Sequence, residues 1–263
     1  MSRIDSACWL GPYPFRHVPH HDADGLLRWM DRHEISQAVV SSLPAAFHRD
    51  PQPANTELAR WVAAHRDRLI PCATLHPHFP GWRRDLKRCS EDLQMRGLRL
   101  FPKHAGFSLT DPHTLELVRS ASELGWHTAI PIRLEDRRGR HWMDTALEVT
   151  LAEIADLARR VPESELLVID ALGVENSAFV RDPSLSGARV GFEVSRMATV
   201  LQKSVPQLLD RLGPDRLFFG TGMPLKVGGA GVLKLDLLQT SDENRALIAG
   251  ANIRRLLRQA GEP

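Results

Sequence analysis

The residues best suited to chemistry stand near the predicted ends of buried strands. Glu193 and Ser195 alternate with the apolar Phe192 and Val194, so strand geometry puts the carboxylate and the hydroxyl on one face. A carboxylate that points into a protein core is costly unless it is paired, and burial raises its pKa. Glu193 is therefore the first candidate for a general acid or base, with a structural ion pair to Arg133 as the alternative.

A charged run from Arg133 to His141 follows another predicted strand. Arg133 can hold a carboxylate or phosphate through two parallel hydrogen bonds, with Glu135 or Asp136 orienting the guanidinium. His141 is a candidate for proton transfer near neutral pH. The alternative for the whole run is a solvated charged loop whose internal ion pairs contribute little to stability.

Cations also follow two further strands. Lys103 is a candidate for neutralising an anionic intermediate, and His104 for moving a proton. Exposed Lys-His pairs without a function are common, which is the alternative here. Met223 and Lys226 add an apolar edge and another cation, so the set predicts a pocket for an anionic, partly apolar small molecule.

Two tempting features carry less weight. His17, His20 and His21 lack a carboxylate or cysteine at ligand spacing and are typical of a surface loop. The three cysteines are widely separated and lack CxxC spacing, which favours reduced thiols in a cytosolic protein. Cys8 is expected to face outward, under the helices, as an inert packing residue.

Eight short β-rich runs alternate with segments of helical period, which is typical of repeated βαβ units around a parallel sheet. The length of 263 residues suits a single (β/α)8 barrel spanning the whole chain. In such a barrel, active sites lie at the C-terminal ends of the strands. The predicted strands are residues 3–8, 37–42, 69–75, 97–101, 127–133, 166–170, 189–195 and 216–220.

Several outer helices carry start signals. Asp22, Asp111 and Asp144 each precede a helical run, the last one spanning 146–160. The glycine cluster 228–231 follows the last strand and predicts a flexible substrate loop.

Composition narrows the function further. The formal net charge of +2 gives no field that favours nucleic acid or a membrane surface. There is no signal-like N-terminus and no long uncharged apolar run, so we expect a soluble, cytoplasmic protein.

Against this scaffold, the chain resembles the amidohydrolase family that includes aminocarboxymuconate semialdehyde decarboxylase and many bacterial metal-dependent hydrolases. The resemblance covers essentially the whole chain and rests on ordered segments rather than on one diagnostic motif. These segments are Ile4-Asp5, Leu10-Gly11-Pro12, 97–100, Leu172-Gly173, 215–220 and 252–257.

The resemblance also implies that the metal ligands of the family are missing from this chain. Where the family has metal ligands, this chain has Ala7, Trp9, Pro131, Ala171 and Gly222, none of which offers a side-chain lone pair for a cation. A catalytic zinc site needs about three protein ligands, so the comparison predicts no metal and no other cofactor.

The former ligand positions leave room for other roles. Trp9 either fills the space of the metal or forms the floor of a pocket, and Thr221 is expected to line that pocket beside Met223.

Two functions follow from the sequence. The first is a metal-independent hydrolase or decarboxylase acting on a small anionic carboxylate or lactone, with Glu193, His104 or His141 moving protons. The second is a catalytically inactive homologue that binds a small ligand or a protein partner. An open mouth with converging charges favours the first, and a mouth filled by Trp9 and loop side chains favours the second. A homodimer formed through outer helices stays open by analogy.

Overall fold

The computed structural model describes residues 2–200 and 203–260. Eight parallel strands alternate with helices in the order that the sequence predicts, which confirms the (β/α)8 barrel. Most strands are shorter than expected because pairing ends before the loops begin. The strands are β1 (Arg3–Leu10), β2 (Ile35–Ser42), β3 (Leu69–Pro71), β4 (Leu98–Arg99), β5 (Thr128–Pro131), β6 (Leu166–Ile169), β7 (Val190–Glu193) and β8 (Leu217–Phe218).

Backbone hydrogen bonds close the barrel where the regular ladders stop. The ladders run β1-β2-β3 and β4-β5-β6-β7-β8. Between β3 and β4 the amide of Ala73 donates to the carbonyl of Gly97 at 2.8 Å, and between β8 and β1 the amide of Gly222 donates to the carbonyl of Ala7 at 3.0 Å. All C-terminal strand ends therefore meet at one mouth.

Helices cover the outside of the barrel. Two predicted starts are confirmed: the Asp22 carboxylate accepts from the amide of Gly25, and that of Asp111 accepts from the amide of His113. The α-helices are α1 (Ala23–Arg32), α2 (Gln52–Trp61), α3 (Trp82–Glu91), α4 (Pro102–Ala105), α5 (Pro112–Glu123), α6 (Leu151–Arg160), α7 (Ala178–Arg181), α8 (Ser204–Leu212), α9 (Gly229–Leu237), α10 (Asp242–Ala246) and α11 (Asn252–Gln259).

Two local predictions were wrong. Helix α6 does not start after Asp144, because Thr150 forms a capping box with Glu153 and thereby satisfies amides of the first turn. The glycine cluster is not a loop, since α9 begins within it at Gly229. A Cβ on Gly231 would lie 2.6 Å from the carbonyl oxygen of Gly220, so this glycine allows the helix to pack closely on the end of β8.

The apolar core has two layers. The larger one lies between strands and helices and includes Cys8, which confirms its outward direction. The inner layer fills the barrel and includes Ile4, Ala7, Trp9 and Phe218. Within the described ranges, no helix is both long and apolar enough to cross a membrane.

Candidate active site

The centre of the site is a carboxylate that sequence reasoning did not single out. Asp170 directly follows β6 and is fully buried, with a left-handed φ of 59°. Arg133 donates through Nε to its Oδ2 at 2.7 Å, and Lys226 donates to its Oδ1. The guanidinium of Arg196 lies 3.7 Å away. Three cations therefore converge on one internal carboxylate at the mouth.

Glu193 lies beside this cluster, at the end of β7. Its Oε2 accepts from the amide of Asp170 at 3.1 Å and from the hydroxyl of Ser195 at 3.0 Å, while Oε1 accepts from the amide of Ser195. Burial raises the pKa of Glu193, although the ammonium of Lys226 and the two amides oppose the shift. The alternative of an ion pair with Arg133 is wrong, because Asp170 binds that arginine instead.

Arg133 contacts three acidic side chains. Besides Asp170 it contacts Asp136 at 2.8 Å and Glu148 at 3.4 Å, and its side chain is 8% exposed. Burial opposes its charge, but the carboxylates outweigh burial and raise the pKa of Arg133. Asp170, Asp136 and Glu148 thus take one N–H donor from each guanidinium nitrogen, three of the five that an arginine has, and their charges oppose the approach of an external anion.

Lys226 occupies space that a larger residue at position 222 would need. A Cβ on Gly222 would lie 2.5 Å from Cδ of Lys226, and the φ of Gly222 is 71°. The lysine can therefore extend over the glycine and bring its ammonium to Asp170, 3.4 Å from the hydroxyl of Ser195.

Lys103 and His104 approach the same mouth from α4. The ammonium of Lys103 contacts Glu153 at 2.6 Å. Nε2 of His104 lies 3.4 Å from Asp144 without forming a hydrogen bond, and burial lowers the pKa of His104. Together with Arg133 they line a cavity of only about 10 Å³, which is near the minimum for one water molecule.

Glu135 and His141 are directed toward the loop after β1. Glu135 accepts from Nε of Arg16 at 2.8 Å, and its Oε2 has no hydrogen-bond partner. The ring of His141 stacks on Phe15, with centroids 5.3 Å apart. Through these contacts, Glu135 and His141 join the segment after β5 to the loop after β1. The contacts do not include Glu193.

The other predicted pocket residues are part of the core. Trp9 is fully buried in the inner layer under Arg99, whose guanidinium carbon lies 5.1 Å from the indole centroid. It fills the barrel rather than flooring a cavity. Thr221 donates its hydroxyl to Asp5, and Met223 is 4% exposed.

The loop after β1 carries the histidines that the sequence placed on the surface. His17 and His21 line a groove of about 330 Å³ together with other residues of that loop. Nδ1 of His21 lies 2.8 Å from the carbonyl oxygen of Val18. The described lining residues of this groove include no carboxylate.

Sequence reasoning missed three buried charges. Asp170 could have been found from its position directly after an apolar strand, where barrel enzymes place functional groups. Asp5 and Arg99 stand inside apolar strands, and such residues are rarely fully buried unless paired. Asp5 bonds Thr221 and the amide of Ala7, and Arg99 donates to the carbonyls of Cys8 and Ser6 at 2.7 and 3.2 Å.

A family model described as Amidohydrolase matches residues 29–259. The chain belongs to the amidohydrolase family. No curated protein matches its sequence.

Solved structures share the fold at low sequence identity. A 2,6-dihydroxybenzoate decarboxylase from Rhizobium is similar with a TM-score of 0.76 and 17% identity over 99% of both chains. A 5-carboxyvanillate decarboxylase from Sphingomonas paucimobilis is similar with a TM-score of 0.71 and 14% identity, over 98% of this chain and 99% of its own. A dihydroxybenzoic acid decarboxylase from Polaromonas with bound manganese has a TM-score of 0.75 and 16% identity, over 99% and 98%.

The family fold implies a divalent metal, and a catalytic metal site needs about three protein ligands. Among residues 2–200 and 203–260, no three His, Cys, Asp or Glu side chains are placed to hold a metal. The Lys226 ammonium lies against Asp170 and above Gly222. A fixed positive charge there repels a cation, and the described donors do not fit a divalent metal.

Proposed function

We propose that this member of the amidohydrolase family is a metal-independent decarboxylase of a small carboxylate. The observation that carries the proposal is the polar cluster at the C-terminal ends of β6–β8, in which the half-buried Lys226 meets the buried Asp170, Glu193 and Ser195. Buried charges and a left-handed aspartate cost stability, and such costs concentrate at functional sites. The solved structures with the same fold are named as decarboxylases of dihydroxybenzoate and carboxyvanillate, which supports the choice of reaction.

In the proposed reaction, the cations bind the substrate carboxylate and Glu193 supplies a proton. The bond between the carboxylate carbon and the substrate breaks, carbon dioxide leaves, and the electron pair stays on the substrate carbon. A protonated Glu193 gives its proton to that carbon and is reprotonated from water. The raised pKa of Glu193 suits this role, because the acid form persists nearer to neutral pH.

Substrate entry needs a conformational change. The small cavity beside Arg133 is lined by Leu134, Leu147 and Val149 of the segment after β5. That segment must move before a substrate can reach Arg133. Such loop movements are common around barrel active sites.

The test is turnover by protein purified with a chelator and shown by elemental analysis to be metal-free. We expect carbon dioxide release from a member of a panel of dihydroxybenzoates, 5-carboxyvanillate and dicarboxylic acids, with lactones as a hydrolytic arm. Glu193→Gln should lower the rate by about 10²–10⁴-fold, as expected for loss of a general acid. Arg119→Met is the matched control, because Arg119 lies on the outer helix α5 and pairs there with Glu163.

Several results would contradict the proposal. Turnover that survives both Glu193→Gln and Lys226→Met would remove the site. Turnover that appears only on adding manganese or zinc, or stoichiometric metal in protein purified without chelator, would refute metal independence.

A second function is favoured by the closed mouth. Arg133, Lys103 and Lys226 each bind an acidic residue of the chain, and the cavity that Lys103 and Arg133 line measures only about 10 Å³. This arrangement suits a catalytically inactive homologue that binds a ligand or partner elsewhere. Absence of turnover across the panel, together with an unchanged melting temperature in the presence of each acid, would favour this function.

A further inference from the structure

The segment between β5 and α6 is a long loop whose two ends are joined. Residues 133–148 contain no helix or strand, and the amide of Val149 donates to the carbonyl of Ile132 at 2.9 Å. Sixteen residues therefore leave the barrel and return to it at one narrow neck. Compact surface loops of this length with neighbouring ends are Ω-loops, which are frequently functional. Residues 133–148 are called the lid below.

Ion pairs within the lid hold it together as one unit. Arg133 contacts Asp136 at 2.8 Å and Glu148 at 3.4 Å, and Arg137 contacts Glu148 at 3.0 Å. These pairs join the first residues of the lid to its last residue. Because both partners of each pair belong to the lid, it can move about its neck without breaking them.

Polar contacts attach the lid to the loop after β1. Nε and Nη2 of Arg16 both donate to Oε1 of Glu135, the first of them at 2.8 Å. The hydroxyl of Tyr13 donates to Asp144 at the longer distance of 3.4 Å. Only the first contact joins two opposite charges, and charge-assisted hydrogen bonds are the stronger kind. The pair between Arg16 and Glu135 is therefore the main polar attachment of the closed lid.

Apolar burial contributes little near the tip of the lid. Trp142, Met143 and Leu147 are 80%, 57% and 71% exposed, although all three are large apolar side chains. The aromatic contact there is the stack of His141 on Phe15. Segments that bury few apolar side chains open at a lower free energy than the core does.

The closed lid also leaves two buried polar atoms without a hydrogen bond. They are Oε2 of Glu135 and Nε2 of His104, which lies 3.4 Å from Asp144 of the lid. Burying an unpaired polar atom costs free energy, and water can bind both atoms once the lid opens. We propose that the lid opens as a unit about its neck, with the pair between Arg16 and Glu135 as the latch that controls access to the mouth.

Thiol labelling of Leu134→Cys measures the opening. Leu134 belongs to the lid and is 1% exposed, whereas Cys8, Cys72 and Cys89 are buried in the barrel. With excess Ellman's reagent at pH 8, we expect one thiol per chain to react, at a rate set by the population of the open lid. Adding Arg16→Met should raise this rate by about tenfold, the effect of losing one charge-assisted hydrogen bond.

Controls separate lid opening from unfolding and from the loss of any surface ion pair. Global unfolding would label all four thiols at one rate, whereas lid opening labels one. Arg83→Met removes an arginine that pairs with Glu116 on the outer helices and should leave the rate unchanged. Tyr13→Phe keeps the ring, removes the hydroxyl that binds Asp144, and should raise the rate by a smaller factor than Arg16→Met.

Three results would overturn the proposal. They are labelling of Leu134→Cys no faster than that of the native thiols, a rate that Arg16→Met leaves unchanged, and an equal rise in Arg83→Met. The assay needs no turnover, so its outcome is independent of whether Glu193 supports a reaction.

Discussion

His127 makes the stability of the barrel depend on pH in a way that can be calculated. The residue precedes β5, is 1% exposed, and neither ring nitrogen has a hydrogen-bond partner. Burial, and secondly the charge of Arg99, lowers the pKa of His127 from 6.5 to about 4. The packing is tight, because a Cβ on Gly97 would lie 2.7 Å from Cε1 of the ring.

The sign follows from proton binding. Between pH 6.5 and 4 the unfolded chain carries the His127 proton and the folded chain does not, so acid favours unfolding. With these two pKa values, lowering the pH from 7 to 4.5 costs roughly 2 kcal/mol of unfolding free energy through this residue alone. In His127→Leu that contribution disappears, since the new side chain binds no proton.

Urea unfolding followed by circular dichroism, near pH 7 and near pH 4.5, measures the difference. We expect the loss of stability in acid to be smaller by roughly 2 kcal/mol in His127→Leu than in the parent. His48→Leu is the control, because His48 is exposed and its variant should keep the parent's pH dependence. If His127→Leu and the parent lose the same stability in acid, the buried ring does not have a depressed pKa and the calculation fails.

Two further predictions concern the thiols and the mouth. Burial raises the pKa of Cys72 to about 11 and that of Cys89 to about 12, and it also raises the pKa of Cys8. An Ellman titration at pH 8 should therefore find no reactive thiol in the folded protein and three after denaturation. Rapid labelling of the native protein would contradict the buried placement of the thiols. Gly222→Asp should destabilise the fold by about 1–3 kcal/mol, through left-handed strain and contact with Lys226, as measured by urea unfolding. Adding Lys226→Ala should recover part of that loss, and a double variant no more stable than Gly222→Asp alone would argue against the contact.

The fold was predictable because strand alternation and helix period extend over long segments. The order of all eight strands, and the caps at Asp22 and Asp111, needed only local sequence. The start of α6 did not follow the first available aspartate, because Thr150 and Glu153 satisfy each other and Asp144 lies near His104 instead. The close approach of Gly231 to β8 is a tertiary contact that no local pattern contains.

The site was harder to predict than the fold. Residue types after each strand singled out Arg133, Lys226 and Glu193, and the structure places all three in contact with Asp170. The sequence pattern could not show that Asp170 would pair with both Arg133 and Lys226, because the choice of partner depends on how far side chains reach across three strands. Nor could it show that Glu135 and His141 would bind the loop after β1, since that contact joins segments more than a hundred residues apart.

Arg99 has a consequence for how the two ends of the barrel relate. Its guanidinium reaches from β4 to backbone carbonyls of β1 and lies over the indole of Trp9. The guanidinium of Arg99 and the indole of Trp9 thus block the axis of the barrel, so no solute can pass along it. A molecule bound at one end could affect the other end only through small displacements of β1 and β4. These two strands are joined by the hydrogen bonds from the Arg99 guanidinium of β4 to the carbonyls of β1.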